Sequence, residues 1–139
     1  MSFLVDTNVL SEIRKRNADA HVRSWFRSVE DSELHLSVLV IGEIRQGIER
    51  LRRRDPPRAG LYESWLGELR SRYADRILPV SAEIAEEWGR LNVPDPIGVI
   101  DGLLAATARV AGLTLVTRDT ARLARTGVAL LDPFDPRRA

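Results

Sequence analysis

Cysteine is absent from this 139-residue chain, lysine occurs once and histidine twice. Without cysteine there are no disulfides, thiolate zinc sites, iron–sulfur clusters or thiol nucleophiles to consider. His21 and His35 stand in unrelated stretches and offer no imidazole cluster for a transition metal. Long apolar runs are missing as well, since nothing approaches the ~20 residues of a membrane-spanning helix. The opening Met1–Asp6 lacks the basic-then-apolar plan of a signal peptide, so a cytoplasmic protein is expected. Nor is there an excess of charge of either sign. The 21 basic and 20 acidic residues leave a formal charge of +1, which excludes a heavily basic nucleic-acid coat and an acidic tail. Lys15 is the one lysine, and every other basic residue is arginine. Arginine-biased codon usage accounts for that, although the always-charged guanidinium fork is also well suited to phosphate.

What is present is the composition of a single folded domain, 44% hydrophobic and 29% charged. Short apolar runs at Phe3–Val5, Leu34–Ser37, Ile77–Val80, Leu113–Thr117 and Val128–Leu131 predict strands. Most are too uniformly apolar to be half-exposed, which points to buried parallel strands. Helical spacing predicts helices over Val9–Arg16, Asp19–Val29, Val38–Arg53, Leu61–Tyr73, Ala82–Leu91 and Val99–Ala111. Ser81 is placed to cap the fifth and Gly112 to end the sixth, while Arg54-Asp55-Pro56-Pro57 reads as a break. Such alternation implies an α/β sandwich around a mainly parallel sheet. One domain is expected over residues 1–132, with a loosely held tail over 133–139.

Four acids fall on four different strand–helix units. Asp6 follows the first predicted strand and Asp119 the fourth, and in open α/β sheets sites form beyond the carboxyl ends of strands. Each also reads as an ordinary cap or turn aspartate. Asp101 shares a helix face with Leu104, Ala105 and Ala108, a face expected to be buried, where a carboxylate needs a partner. The helix dipole accounts for an acid in that first turn but not for its inward direction. Glu43 flanks the apolar stripe of the third helix, and Gly47 one turn on leaves space beside it; alone, Glu43 is an ordinary helical glutamate. Gathered in one pocket, these carboxylates would repel and partly protonate unless a cation joined them. Hard oxygen ligands suit Mg²⁺ or Mn²⁺ rather than zinc, and such an ion makes the cluster a platform for phosphodiester hydrolysis.

The ordered segments Leu4–Leu10 (LVDTNVL), Ser37–Gly47 (SVLVIGEIRQG), Ile100–Ala108 (IDGLLAATA), Leu113–Asp119 (LTLVTRD) and Gly127–Phe134 (GVALLDPF) carry a family resemblance. Together they span most of the chain, and it resembles the PIN-domain ribonucleases, specifically the VapC-type toxins of prokaryotic toxin–antitoxin pairs. The resemblance implies a three-layer sandwich with a five-stranded parallel sheet flanked by helices. It implies that Asp6, Glu43, Asp101 and Asp119 hold Mg²⁺ or Mn²⁺, with Thr117 a polar helper beside Asp119. It further implies endoribonuclease activity leaving a 5′-phosphate and a 3′-hydroxyl, a homodimer, and a cognate antitoxin whose C-terminal segment enters the acidic pocket, with larger toxin–antitoxin hetero-oligomers. Many relatives carry Asn at the position of Asp119 and Asp-Phe where Leu123 stands, so Asp119 is expected either to ligate metal or to position the attacking water.

Other phosphate-handling folds fit less well. A haloacid-dehalogenase-type phosphatase needs a second acid two residues after the first, where this chain has Asn8; a receiver domain needs a late lysine; a P-loop is absent. The competing expectation is a non-catalytic module of the same fold that only pairs with an antitoxin. For RNA, Arg14-Lys15-Arg16 and the group Arg50, Arg52, Arg53 and Arg54 are candidate phosphate contacts or simply solvated faces. Trp25, Trp65 and Trp88 read as core or interface, and Tyr62, Trp65, Leu66 and Leu69 as a dimer face.

Overall fold

The computed structural model describes residues 1–137. Its centre is β1 (Phe3–Val5), three apolar residues buried throughout. β2 (Leu34–Ser37) and β4 (Thr114–Val116) pair with β1 on either side. β3 (Ile77–Leu78) and β5 (Leu130–Leu131) form the edges of a five-stranded, all-parallel sheet of order β3-β2-β1-β4-β5. Seven α-helices among the described residues flank it: α1 (Thr7–Ile13), α2 (Ala20–Ser28), α3 (Val38–Arg52), α4 (Pro56–Arg72), α5 (Ala82–Leu91), α6 (Val99–Ala111) and α7 (Thr120–Leu123). None is long and apolar enough to cross a membrane.

After β1 and after β2 the chain turns directly into a helix on one polar residue, whereas three residues separate β3 from α5 and β4 from α7. Asp6 ends β1 and caps α1, which therefore begins two residues earlier than the predicted Val9. Ser37 ends β2 and caps α3, its hydroxyl accepting from the Leu39 N–H at 3.0 Å. The expected break at Arg54–Pro57 is present but lies at residues 53–55, and Pro56 already belongs to the next helix. Asp55 caps α4 by accepting from the Arg58 N–H at 3.3 Å, and Pro56 and Pro57 occupy the first turn, where a missing N–H costs nothing. β3 stops at Leu78 because Pro79 cannot extend the ladder. Gly112 ends α6 in the left-handed conformation (φ 69°), as the sequence predicts.

Two further expectations are revised by packing. Leu66 and Leu69, assigned to a dimer face, are buried in the chain's own core, and the exposed apolar residue on α4 is Leu61 at 66%. The tail is not loose where it begins: Pro133 is buried and the Arg118 guanidinium lies 4.1 Å from the Phe134 ring centroid. The last two tail positions, 138 and 139, lie outside the described residues.

The α5–α6 contact sets the approach of the helix that carries Asp101. A Cβ at Gly102 would stand 3.0 Å from Cδ1 and 3.1 Å from Nε1 of Trp88, so the close packing depends on glycine there. Gly102→Val is expected to destabilise the fold by about 1–3 kcal/mol through overpacking. Urea unfolding at neutral pH measures this; an unchanged midpoint would show that Trp88 moves aside freely.

Candidate metal centre

The strand order reverses at β1: β2 and β3 lie to one side, after which the chain crosses back to place β4 and β5 on the other. At such a reversal the connections leave in opposite directions and a crevice opens beyond the carboxyl ends of the strands. Asp6 stands at that point, its backbone N–H donating to the Val116 carbonyl at 2.9 Å. Its carboxylate accepts from the Thr7 N–H at 2.7 Å through Oδ1, so it caps α1. Oδ2 accepts the Thr117 hydroxyl at 2.7 Å and the Asn8 amide at 3.3 Å. Cap and crevice residue are one and the same.

Asp101 enters from the first turn of α6, half-buried. Asp119 follows β4, and its side chain does not cap α7, contrary to one of its expected roles. It accepts instead from the Asn8 amide at 3.4 Å and from Arg122 at 3.1 Å. One oxygen from each of Asp6, Asp101 and Asp119 lies within 4.8 Å of the other two. Glu43 is outside that group. It reaches the same crevice, of about 540 Å³, from α3, where its Oε1 accepts the Thr7 hydroxyl at 2.6 Å. Thr117 is fully buried and donates to Asp6 while accepting from the Asp119 N–H at 3.2 Å. It is hydrogen-bonded to both acids and closed to solvent, so it reaches the crevice only through them.

Three residues of the site escape a reading of sequence pattern alone. Thr7 and Asn8 look like helix-starting residues, yet the first tethers Glu43 and the second bridges Asp6 and Asp119. Arg122 is 2.8 Å from Asp101 and 3.1 Å from Asp119, linking acids from two elements. Its spacing of three residues from Asp119 on a helical turn is the one available signal. Two of the three basic residues at the end of the first helix are engaged elsewhere. Arg14 stacks on Tyr62 and Trp65 at 4.0 and 5.2 Å, and Lys15 pairs with Glu12 at 3.0 Å.

The electrostatics of the crevice are unbalanced. Burial pushes the Asp6 carboxyl above the usual aspartate range, hydrogen bonds from Thr117 and Thr7 pull it back, and repulsion from Glu43 and Asp101 adds to the rise. Arg122 supplies one positive charge against four acids and is 61% exposed. An oxygen-only donor set with surplus negative charge fits Mg²⁺ or Mn²⁺. Across an octahedral ion, ligand oxygens are separated by at most about 4.2 Å, so the present spacing accommodates an ion with modest closure or with bridging water, which Mg²⁺ retains readily.

A parallel α/β sheet with acids gathered at its order reversal is the architecture of a defined class of domain. Residues 3–129 match the PIN domain model, and the chain belongs to the PIN-domain family. Among its relatives, the VapC ribonuclease Y4jK of Sinorhizobium fredii is 30% identical, with 96% of this chain and 98% of that one aligned. Toxin FitB of Neisseria gonorrhoeae is 29% identical over 94% of this chain and 97% of its own. The solved FitAcB structure from Neisseria gonorrhoeae superposes with a TM-score of 0.87 at 28% identity, covering 95% of this chain and 98% of that chain. VapBC2 from Rickettsia felis, bound to a promoter DNA fragment, shares the fold at a TM-score of 0.76 and 21% identity, with 95% and 98% covered.

A raised carboxyl value has a consequence for stability. Asp6 contributes most below the ordinary aspartate range, where its carboxyl is protonated in both folded and unfolded chains. That contribution is lost as pH rises through the raised folded value. Asp6→Asn removes the buried charge and escapes this loss. In chelator, the variant is therefore expected to gain stability relative to the parent as pH is taken from 4 to 8 in urea unfolding. A difference that does not grow with pH would mean that Asp6 is comfortably ionised in the fold.

Proposed function

We propose that this chain is the toxin of a toxin–antitoxin pair and a metal-dependent endoribonuclease, with Asp6, Glu43, Asp101 and Asp119 holding Mg²⁺ or Mn²⁺. The observation that supports this most strongly is the convergence of Asp6, Asp101 and Asp119 within 4.8 Å at the order reversal of the sheet, with Glu43 on the same crevice. When bound, the ion polarises a phosphoryl oxygen and lowers the pKa of coordinated water. Asp6 is immobilised by three donors and is the anchor of the set. Asp119 and Glu43, held by Asn8 and Thr7, are placed to orient a water for in-line attack. Water forms the new P–O bond, the bond to the 3′-oxygen breaks, and that oxygen takes a proton. A 5′-phosphate and a 3′-hydroxyl result.

Partners belong to the same reading. The relatives include proteins named as toxins and a structure of FitAB bound to a DNA fragment. A cognate antitoxin and a second copy of this chain are the corresponding partners here. Cleavage of a structured RNA by purified protein, with metal and with chelator, tests the activity. Asp101→Asn is expected to lose at least about 100-fold, and Thr117→Val, which acts only through its neighbours, about 10–100-fold. Equal cleavage in all samples would overturn the proposal. Cleavage by none, together with no Mn²⁺ uptake at millimolar concentration, would favour the non-catalytic pairing module.

Arg122 and a divalent ion would draw on the same two carboxylates, Asp101 and Asp119. Arg122→Ala is thus expected to bind Mn²⁺ roughly five-fold more tightly, in line with loss of an exposed ion pair. Isothermal titration calorimetry measures this, and weaker binding in the variant would show that the guanidinium organises the acids rather than competing for them.

A further inference from the structure

A second cavity, of about 260 Å³, adjoins the metal-site crevice, and Thr7 and Glu43 line both. Its walls are Ile44 and Ile48 of α3 facing Tyr62 and Trp65 of α4. Arg14 stacks against both rings, at 4.0 and 5.2 Å, so the aromatic wall is held before any ligand arrives. Gly47 opens the α3 side, and a Cβ added there would meet nothing within 4 Å. Arg54 and Arg58 complete the lining.

Arg54, in the turn between α3 and α4, and Arg58, in the first turn of α4, differ from two arginines of α3. Arg45 and Arg52 are occupied by Glu49 and Glu63 at 2.6–3.4 Å. The guanidinium groups of Arg54 and Arg58 have no hydrogen-bond or ion-pair partner among the described residues. Burial of an apolar pocket beside two uncompensated cations calls for a ligand that is flat and apolar on one side and anionic on the other. A nucleotide has that form. Stacking against aromatic walls holds bases, and fixed cations hold the phosphates that flank them.

We propose that this cavity is a nucleotide subsite, taking the base of an RNA residue next to the scissile phosphate while Arg54 and Arg58 hold the adjoining phosphates. The inference rests on the ribonuclease reading, and it names how that site would grip its substrate. The shared residues Glu43 and Thr7 place the subsite within one nucleotide of the acids. Gly47, one helical turn from Glu43, is then the residue that keeps the pocket open.

The test uses the full chain in chelator, so that binding is read without cleavage. Fluorescence anisotropy with labelled 12-nucleotide single-stranded RNAs (rA12, rC12 and rU12) compares the parent with Gly47→Leu, Arg54→Ala/Arg58→Ala and Arg50→Ala. Arg50→Ala controls for loss of a charge on the same face outside the cavity. Gly47→Leu is expected to lose about tenfold or more in affinity for at least one RNA, as loss of one stacked base does. The double arginine variant is expected to flatten the slope of log K against log salt by about 1.4, corresponding to two single-strand phosphate contacts. Mn²⁺ affinity and thermal stability should stay at parental values in both.

Parental RNA binding in Gly47→Leu, a double variant no weaker than Arg50→Ala, or no measurable parental binding would each overturn the proposal. So would loss of antitoxin binding with RNA binding intact, since the cavity would then belong to a peptide. Pocket-dependent RNA binding without metal-dependent cleavage would sustain this inference and defeat the ribonuclease reading. Cleavage that is indifferent to the pocket variants would do the reverse.

Discussion

A buried carboxylate surrounded by other carboxylates is the constraint around which this molecule is arranged. Asp6 is 6% exposed, faces Asp101, Glu43 and Asp119 across one crevice, and has no ion-pair partner among the described residues. Left in water-poor surroundings, such a group protonates or is pushed apart from its neighbours. The chain instead gives it three donors: the Thr7 N–H, the Thr117 hydroxyl and the Asn8 amide. It also places a single guanidinium, Arg122, across two of the other acids. Burial raises the Asp6 carboxyl above the usual aspartate range, the hydrogen bonds from Thr117 and Thr7 pull it back, and repulsion from Glu43 and Asp101 adds to the rise. What is left over is a surplus of negative charge gathered at one end of the sheet.

The scaffold makes that tolerable by keeping the charged region at the rim. The strands are two to four residues long, and apolar throughout the centre of the sheet. The ends of β1 and β2 pass straight into helices, so those two junction residues serve twice. Asp6 caps α1 and reaches the crevice, while Ser37 joins β2 to the helix carrying Glu43. α6 contributes Asp101 from its first turn, where the helix dipole favours a negative charge. Its distance from α5 is limited by Trp88 against Gly102, so a contact on the far side of the sheet's rim helps to set where Asp101 falls. Stability and the placement of acids are not separable in this fold.

Near-neutral total charge conceals a division of labour. With four acids in one crevice, the rest of the chain carries five more basic residues than acidic ones. Many of those arginines are committed to structural tasks: Arg45 and Arg52 to Glu49 and Glu63, Arg72 and Arg76 to Asp31, Arg14 to two aromatic rings. Under the proposed function, a polyanion approaching the acidic centre would meet a few uncompensated guanidinium groups rather than a uniform basic surface. Arg54 and Arg58 are two of these, and they stand where α3 gives way to α4, beside the crevice.

Much of this was written in local sequence. Runs such as Phe3–Val5 and Leu113–Thr117 specify buried parallel strands because they are short and apolar on both faces, and periodicity specifies the helices between them. Asp6, Asp101 and Asp119 each have an ordinary local reading as a cap, turn or first-turn acid, and they could be singled out only together, two at strand ends on one edge of the sheet and one on an apolar helix face. Helix starts were less legible, since Pro56-Pro57 terminates one helix and begins another equally well. Tertiary structure alone decided the rest. That Thr7 would hold Glu43, Asn8 would join Asp6 to Asp119, and Arg122 would span Asp101 and Asp119 depends on pairs separated by 36, 111 and 21 positions. Such meetings are set by strand order and by how far α5 holds α6 from the sheet. No local pattern encodes them, because they are made by distances between elements, and those distances exist only once the core has packed.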